Sequence, residues 1–449
     1  MALYHELHRP QFHFSPRENW TNDPNGLVYS DGVWHLFFQH NPQATVWGNA
    51  HWGHAVSDDL MHWRQLEHAL YPDEHGDMFS GSAVVDWDNT AGFGKGALLA
   101  FYTAAGSYAD PKRPFTQCLA YSADNGKQWT KYDGNPIVEW FEADNRDPKV
   151  VWHAPTRRWI MALYLAQYRY CLLHSADAKS WTRFQDLSLE GCTECPDFFP
   201  LTDESGAERW VFWGAKGTYR IGSFDGGEFN PETALLTAEQ GTNGYAAQIW
   251  SDAPDSRRIQ ISWMLGGVYP EMPFNQQLSI PVELSLAGAG ENVTLVRWPV
   301  RELDSLHRRA VNLPRQVIAP GSPLIADTRA KLLDVSFTVC KRDAKTLYVA
   351  IRGVSMEFHW SSRALIFRNG AAHRLVPKQP QVPLPDEAQL SVRLLIDKTS
   401  VEVFINQGKT SASFCFLPNG YVHPLVFQSY EGEQVIEDFE LHEIASIWT

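Results

Sequence analysis

The first 300 residues consist of short apolar runs separated by polar turns. Five segments in this region share one order: a short polar motif, an apolar run, a turn, and a second run rich in aromatic residues. The segments begin at Asn22, Phe79, Arg146, Glu194 and Tyr245, and convincing helical periodicity is nearly absent. Four-stranded units that repeat at intervals of about 45–70 residues are typical of propeller blades. The pattern therefore predicts a five-bladed β-propeller over residues 1–300.

A second motif recurs between these starts and supports the repeat. It consists of a serine, an aspartate in a short polar turn, and then an aromatic residue. Each copy follows an apolar run, as expected for a hairpin. The copies lie at Ser57…Trp63, Ser122…Trp129, Ser175…Trp181 and, more weakly, Ser223…Phe229.

After Pro299 the pattern changes. Residues 301–325 contain a proline-rich stretch and are predicted to form a linker. Short alternating strands resume at residue 326, and residues 401–414 indicate a hairpin with Gly408 in its turn. Such strands favour a β-sandwich over residues 326–449. The whole chain is thus predicted to be all-β.

Composition excludes several classes of protein. The 449 residues carry a formal net charge of −14, so neither a nucleic acid nor an anionic membrane is an expected partner. No apolar run reaches the ~18 residues of a membrane span, and the N-terminal segment lacks the apolar core of a signal peptide. We therefore expect a cytoplasmic protein, or the mature form of a secreted one whose leader was removed. No metal or cofactor is expected, because no ligand spacing and no phosphate-binding glycine loop stand out.

Three of the five segments open with a carboxylate, in the motifs Asn22-Asp23-Pro24, Arg146-Asp147-Pro148 and Glu194-Cys195-Pro196. The first strand of each blade lies nearest the axis of a propeller, so Asp23, Asp147 and Glu194 should meet at one end of the channel. Clustered carboxylates shift each other's pKa, which lets one stay protonated while another is ionised. Glycoside hydrolysis requires that division. One Asp-Pro alone would indicate a turn, but three carboxylates at this repeat position favour a site.

Arg146 and the tryptophans each have two interpretations. Arg146 could pair with a neighbouring carboxylate, or it could join Asp147 in holding sugar hydroxyls. The 18 tryptophans suit both sugar-facing platforms and core packing.

These motifs resemble those of glycoside hydrolase family 32, the β-fructofuranosidases that include invertases, levanases and exo-inulinases. Residues 20–26 (WTNDPNG) resemble the family's N-terminal block, Arg146-Asp147-Pro148 its R-D-P block, and residues 194–197 its E-C-P-D block. Residues 397–404 resemble a string of its C-terminal domain. The resemblance spans almost the whole chain and implies a five-bladed propeller followed by a sandwich.

The resemblance also implies an activity: retaining hydrolysis that releases terminal β-D-fructofuranosyl units from sucrose, fructo-oligosaccharides or fructans such as inulin and levan. By carry-over, Asp23 is the nucleophile, Glu194 the general acid and base, and Asp147 the transition-state stabiliser. The remaining family positions that line the fructose pocket correspond to Asn22, Gln39, Trp47, Phe79, Ser80 and Arg146.

Two departures leave the preferred leaving group open. Asn243-Gly244 replace an acidic-aromatic pair that often precedes Tyr245, and Val282 stands where the family's P-R-E-L string has arginine. Three alternatives stay open: a fructosyltransferase of the same family, an inverting propeller glycosidase of the arabinan type, and a non-catalytic sugar-binding propeller. The order of preference among sucrose, inulin and levan also stays open, as does the oligomeric state.

Overall fold

The structure is a computed structural model that describes residues 3–368 and 381–448. Strands take up 51% and helices 4%, which confirms the all-β class. Within the described ranges the helices are short 3-10 turns, at Gly106–Tyr108, Ala154–Thr156, Pro254–Ser256, Gly290–Asn292 and Arg301–Leu306. None of these helices is long and apolar enough to cross a membrane.

Five sheets with antiparallel hairpin connections occupy residues 19–299. The first contains β1 (Asn19–Ser30), β2 (Val33–Asn41), β3 (His51–Ser57) and β4 (Arg64–Gln65). The second contains β5 (Asp77–Asp86), β6 (Ala97–Ala105), β7 (Thr116–Ser122) and β8 (Thr130–Lys131), and the third β9 (Arg146–His153), β10 (Arg158–Ala166), β11 (Arg169–Ser175) and β12 (Thr182–Ser188).

The fourth sheet contains β13 (Asp197–Thr202), β14 (Glu208–Trp213), β15 (Thr218–Phe224), β16 (Phe229–Pro231) and β17 (Leu236–Thr237). The fifth follows with β18 (Gly244–Ile249), β19 (Ile259–Met264), β21 (Val282–Ala287) and β22 (Thr294–Pro299). Between β19 and β21 lies β20 (Phe274–Asn275), which pairs in parallel with β1 instead.

The first strand of each sheet packs against the first strands of two others. The contacts run from β1 to β5, from β5 to β9, from β9 to β13, from β13 to β18, and from β18 back to β1. We call these five the inner strands, the end at which they begin the near end, and the opposite end the far end. Each predicted segment start lies within three residues of the beginning of an inner strand.

The predicted serine-aspartate motif forms the turns that follow the third strands of the first three sheets. Ser122 donates a hydrogen bond to Asp124 (2.8 Å) and Ser175 one to Asp177 (3.0 Å). In the first copy Ser57 donates to Asp59 (3.0 Å), so the spacing is the same in all three turns. These aspartates also accept backbone N–H bonds within the turn, which is why the motif recurs.

Two further sheets form the C-terminal region and share one apolar core. The seven-stranded sheet contains β23 (His307–Leu313), β24 (Gln316–Ile318), β26 (Leu333–Cys340), β31 (Gln389–Ile396), β32 (Ser400–Ile405), β33 (Thr410–Cys415) and β35 (Gln434–Ile444). The six-stranded sheet contains β25 (Leu324–Ile325), β27 (Thr346–Ile351), β28 (Val354–His359), β29 (Ala364–Arg368), β30 (Gln381–Pro383) and β34 (Leu425–Gln428). The predicted hairpin is β32 and β33, with Gly408 in its turn at a φ of 88°.

Residues 301–325, predicted as a linker, carry a 3-10 turn and the strands β23, β24 and β25. The first two pair with β35 and the third with β34. The prolines of this segment fall between the strands, where no ladder hydrogen bond is lost. Ile318 is fully buried in the C-terminal core, and Val311 and Leu313 pack against it. Burial of these apolar side chains accounts for the strands.

A buried charged cluster joins the N-terminal segment to the C-terminal sheets. The ring of His13 contacts Asp397 through Nδ1 (2.9 Å) and Glu402 through Nε2 (2.7 Å). Burial lowers the pKa of His13, but the hydrogen bonds to the two carboxylates outweigh it and raise the pKa to about 9. The carboxylates of the C-terminal string noted in the sequence thus fix the chain that leads into β1.

Buried polar side chains join the inner strands to one another. Lys149 of β9 and Asp197 of β13 form an ion pair (Nζ to Oδ1, 3.0 Å) with both side chains at most 1% exposed. Asp197 also accepts the backbone N–H of Ile249 in β18 (2.6 Å), and Lys149 donates to the carbonyl of Ile249 (3.2 Å). On the other side, Gln248 donates to the carbonyl of Gly81 in β5 (2.9 Å). The ion pair and this amide therefore link four of the five inner strands.

The Lys149→Met variant should lower the free energy of unfolding by about 3–5 kcal/mol, because Asp197 would remain buried without a partner charge. The double variant Lys149→Met/Asp197→Asn should recover part of this loss, since it removes the unpaired charge. Urea unfolding of the wild type, the two single variants Lys149→Met and Asp197→Asn, and the double variant measures the difference. A double variant that loses as much stability as the two single changes added together would show that the charges are not coupled.

Candidate active site

All nine residues predicted to form the site line one cavity at the near end, with a volume of about 350 Å³. They are Asn22, Asp23, Gln39, Trp47, Phe79, Ser80, Arg146, Asp147 and Glu194. The cavity walls also include Tyr108, Phe115, Tyr245 and Trp263. Each inner strand contributes at or near its first residues, so the structure brings together positions as far apart in the chain as Asn22 and Tyr245.

Irregular backbone at the near end aims neighbouring side chains into the same cavity. In a regular strand, adjacent side chains point to opposite faces. The pairing of β1 with β2 shifts between Thr21 and Pro24, and that of β5 with β6 between Phe79 and Gly81. Asp147 has a φ of 63°, in the left-handed region, which is uncommon for a residue other than glycine. This break in alternation lets both Arg146 and Asp147 line the cavity.

Asp23 is held by the neighbouring inner strand. Its Oδ2 accepts a hydrogen bond from the Ser80 hydroxyl (2.7 Å), and the Cys195 Sγ lies 3.7 Å away. Burial raises the pKa of Asp23 to about 6, the charge of Glu194 adds to that rise, and the bond from Ser80 opposes it. The carboxylate is therefore fixed in place and holds its proton more tightly than a free aspartate.

Asp147 lies deeper, with 6% of its surface exposed. Its Oδ2 accepts the backbone N–H of Cys195 (3.0 Å), and the Arg146 Nε lies 3.7 Å away. Burial raises the pKa of Asp147 to about 7; the Arg146 charge opposes this rise, and the charges of Glu194 and Asp23 reinforce it.

Glu194 is held by two donors. The Tyr245 hydroxyl donates to its Oε1 (2.5 Å), and the guanidinium of Arg146 donates to its Oε2. Burial raises the pKa of Glu194, but the bond from Tyr245 and the charge of Arg146 outweigh it, and the net pKa is lowered. Arg146 thus lies between two of the three carboxylates, and both interpretations suggested by the sequence, ion pair and clamp, remain available to it.

The three carboxylates titrate as one coupled group. With Arg146 they leave the site with a formal charge of −2 when fully ionised. Burial raises the pKa values of Asp147 and Asp23, whereas the bond from Tyr245 and the charge of Arg146 lower that of Glu194, so the two aspartates hold a proton more tightly than Glu194 does.

Aromatic rings form the open side of the cavity. Trp47 and Tyr108 are 49% and 51% exposed, and their ring centres lie 5.8 Å apart. Phe79 packs against both at 6.1 Å and 5.6 Å. Exposed rings next to a polar cavity offer apolar faces on which a sugar can pack.

Two important wall residues were not predicted. Tyr245 opens the fifth segment, at the place that Arg146 and Glu194 take in the third and fourth, so its repeat position could have identified it. Tyr108 lies on the irregular connection between β6 and β7, which no repeat marks.

Among the described residues, the group with metal-ligand spacing lies outside this cavity. It consists of Asp304, His307 and Asp334. The guanidinium of Arg393 donates to Asp334 (2.6 Å) and to Asp304 (3.5 Å), so these carboxylates already have a cationic partner.

The chain matches two family models that together cover almost its full length. The model for the glycosyl hydrolases family 32 N-terminal domain matches residues 13–299, and the model for the glycosyl hydrolases family 32 C terminal matches residues 305–443.

Similar proteins and structures agree with these matches. A levanase from Bacillus subtilis (strain 168) is 34% identical over 100% of this chain and 72% of its own length. An extracellular exo-inulinase from Aspergillus awamori is 30% identical over 99% of this chain and 96% of its own. The crystal structure of exo-inulinase from that organism superposes with a TM-score of 0.87 at 28% identity, covering 99% of this chain and 100% of the other.

A second solved structure, fructofuranosidase from Schwanniomyces occidentalis complexed with fructose, superposes with a TM-score of 0.89 at 25% identity, covering 99% of this chain and 100% of the other. The motifs, the family models and the full-length similarities therefore agree, and this chain belongs to glycoside hydrolase family 32.

Proposed function

We propose that this protein is a β-fructofuranosidase that releases terminal β-D-fructofuranosyl units from sucrose, fructo-oligosaccharides or fructans with retention of configuration. The observation that carries the proposal is the near-end cavity, where Asp23 and Glu194 are each fixed by neighbouring hydroxyls around a space of about 350 Å³. All three carboxylates are in place, which argues against a protein that only binds sugar.

In the first step Asp23 attacks the anomeric carbon of the fructosyl unit and Glu194 gives its proton to the departing oxygen. The bond from Asp23 forms as the glycosidic bond breaks, and the free alcohol leaves. In the second step Glu194, now ionised, takes a proton from a water molecule. The oxygen of that water attacks the same carbon, and the bond from this carbon to Asp23 breaks. Asp147 stabilises the cationic transition state and binds fructose hydroxyls.

This mechanism needs Glu194 protonated and Asp23 ionised, whereas burial raises the pKa of Asp23 to about 6, and the bond from Tyr245 and the charge of Arg146 lower the pKa of Glu194. The charge of Arg146 is a main reason that the pKa of Glu194 is lowered. A bound fructosyl unit excludes water around Glu194 and gives Arg146 hydroxyls to bind, and both effects raise the pKa of Glu194. Hydroxyls that donate to Asp23 favour its ionised form. Substrate binding thus places the proton on the acid.

We also propose that the five sheets are the blades of a five-bladed propeller over residues 1–300 and that the two C-terminal sheets form a sandwich over residues 326–449. The closed cycle of contacts among the inner strands supports the propeller. The shared core of the two C-terminal sheets supports the sandwich. The division of the family models between residues 299 and 305 supports a boundary close to residue 300.

The Glu194→Gln and Asp23→Asn variants should each lose most turnover while the fold is retained. For Glu194→Gln we expect a fall in kcat of roughly 10²–10⁴-fold, the usual contribution of general acid–base catalysis. Fructose release from sucrose, inulin and levan measures it. The matched control is Glu190→Gln, an exposed glutamate outside the cavity, which should keep the wild-type rate. Wild-type rates in either carboxylate variant would contradict the proposal.

Retention predicts that the first fructose released is the β anomer. NMR spectroscopy of the sugar during the first turnovers, before mutarotation, distinguishes the two anomers. An α anomer would instead indicate single displacement, as in an inverting glycosidase of the arabinan type.

The Tyr245→Phe variant should extend activity to higher pH. The Tyr245 hydroxyl stabilises ionised Glu194, so its removal raises the pKa of the acid, which then stays protonated to higher pH. The alkaline limb of kcat against pH should move up by about one unit, the equivalent of one hydrogen bond to a charged group. The acidic limb of kcat against pH should move by less than the alkaline limb does. Tyr168→Phe, outside the cavity, is the control; an unchanged or lowered alkaline limb in Tyr245→Phe would refute the role of Tyr245.

A further inference from the structure

A second cavity, of about 340 Å³, opens at the far end of the inner strands. We call it the far cavity. It is lined by the residues with which these strands finish, among them Val85 of β5, Trp152 of β9, Pro200 of β13 and Ile249 of β18. Its volume lies at the lower end of the roughly 300–1,000 Å³ that small-molecule sites occupy.

The far cavity is separate from the candidate active site. Along β9, Trp152 follows Asp147 by five residues, a distance of about 17 Å at the rise of a strand. The buried pair of Lys149 and Asp197 lies between the two cavities. A sugar bound in one cavity therefore cannot reach into the other along the axis.

Indole rings form much of the wall of the far cavity. Trp87 is 52% exposed at its rim, and Trp152 is partly exposed and packs edge-on against Trp159 with ring centres 4.9 Å apart. Within the described residues, the indole N–H of Trp152 has no hydrogen-bond acceptor. These rings offer an apolar platform and a free donor together.

Arg258 gives the far cavity a charged donor that lacks a counter-ion. Its Nε donates to the carbonyl of Pro200 (3.2 Å) and its Nη1 to that of Ser256 (3.2 Å). Its Nη2 has no partner in the described part of the chain, and no described carboxylate lies within 4 Å of this guanidinium. The cavity also contains the carboxylate of Asp252. One of its oxygens accepts a hydrogen bond from Trp87 Nε1 (3.0 Å) and the other from the backbone N–H of Val85 (3.1 Å), so each oxygen can accept another.

The balance of charge selects the class of ligand. The wall carries the carboxylates of Asp86, Asp88 and Asp252 and the guanidinium of Arg258, and Arg157 outside the wall contacts Asp88 (3.9 Å). Carboxylates still outnumber guanidinium groups, which disfavours an anion. The unpaired guanidinium disfavours a cation. A neutral polyol remains, because its hydroxyls can both accept from Arg258 and donate to Asp252 while its carbon face packs on an indole ring.

We propose that the far cavity binds a fructosyl unit of a fructan or fructo-oligosaccharide chain. This inference rests on the proposed function, which makes fructose-containing chains the sugars that this protein meets. A long or branched substrate held at the far cavity raises the local concentration of chain ends near the enzyme, whereas a disaccharide gains nothing from a second site. The far cavity should therefore affect binding of polymer and leave sucrose hydrolysis unchanged.

The test is electrophoresis in native gels that contain levan or inulin, with Glu194→Gln as the inactive background. Adding Trp87→Ala should weaken retardation by the polymer, with the apparent Kd rising about fivefold or more as one sugar-ring contact and the second attachment are lost. Adding Trp87→Phe keeps a ring and should restore most of the retardation. Tyr430→Ala removes an exposed ring from the C-terminal region and should change nothing.

Equal retardation of the Glu194→Gln and Glu194→Gln/Trp87→Ala proteins would overturn the proposal, as would no retardation of either. An equal loss in the Trp87→Phe protein would also overturn it, because stacking would not be the cause. In the active enzyme, Trp87→Ala should leave kcat and KM for sucrose within twofold. If the wild type releases no fructose from any substrate, the proposed function fails, while loss of retardation through Trp87→Ala would still establish a fructan site in the far cavity.

Discussion

The ion pair between Lys149 and Asp197 is the constraint on which both ends of the molecule depend. Two charges without exposed surface remain stable only when each has its partner and further hydrogen bonds, and here the backbone of Ile249 supplies these. The pair fixes how the three inner strands β9, β13 and β18 are positioned along their length relative to one another. Lys149 lies two residues beyond Asp147 on β9, and Asp197, the first residue of β13, lies three residues beyond Glu194, so the ion pair fixes the backbone close to both carboxylates. A slip of one residue would turn these side chains away from the cavity.

The site at the near end has more negative than positive charge, and this imbalance separates the pKa values of its carboxylates. Three carboxylates share one guanidinium, so they cannot all ionise freely, and their pKa values separate. Burial has the largest effect on each of these pKa values, and at Glu194 the Tyr245 hydroxyl opposes it. Arg146 contacts both Asp147 and Glu194, so its guanidinium lowers the pKa of each. A rigid frame supports these pKa differences, because the interaction energy of two charges depends on the distance between them.

Much of the fold and the site was predictable from the sequence, because both are repeated. Asp23, Arg146 and Glu194 could be aligned by the segments that they open, and their convergence follows from the alignment alone. Residues without a repeat were not predictable in this way. Tyr108 lies on an irregular connection, and its ring reaches the cavity through packing on Phe79 and Trp47, which are distant in sequence. Residues 301–325 resembled a linker because their prolines are conspicuous, but the strands on either side of those prolines pair with β34 and β35, which are distant in sequence.

The same repeat that gathers the carboxylates at the near end gathers a second set of side chains at the far end. The five inner strands form one closed cycle of contacts, so their last residues lie near one another just as their first residues do. At the near end these residues are three carboxylates and one guanidinium. At the far end they carry indole rings, one guanidinium without a counter-ion and carboxylate oxygens with capacity to spare. The buried ion pair keeps the two chemistries apart, so residues at the far end can vary without disturbing the reaction, and that freedom makes the far end a suitable place for binding that depends on the length of the substrate.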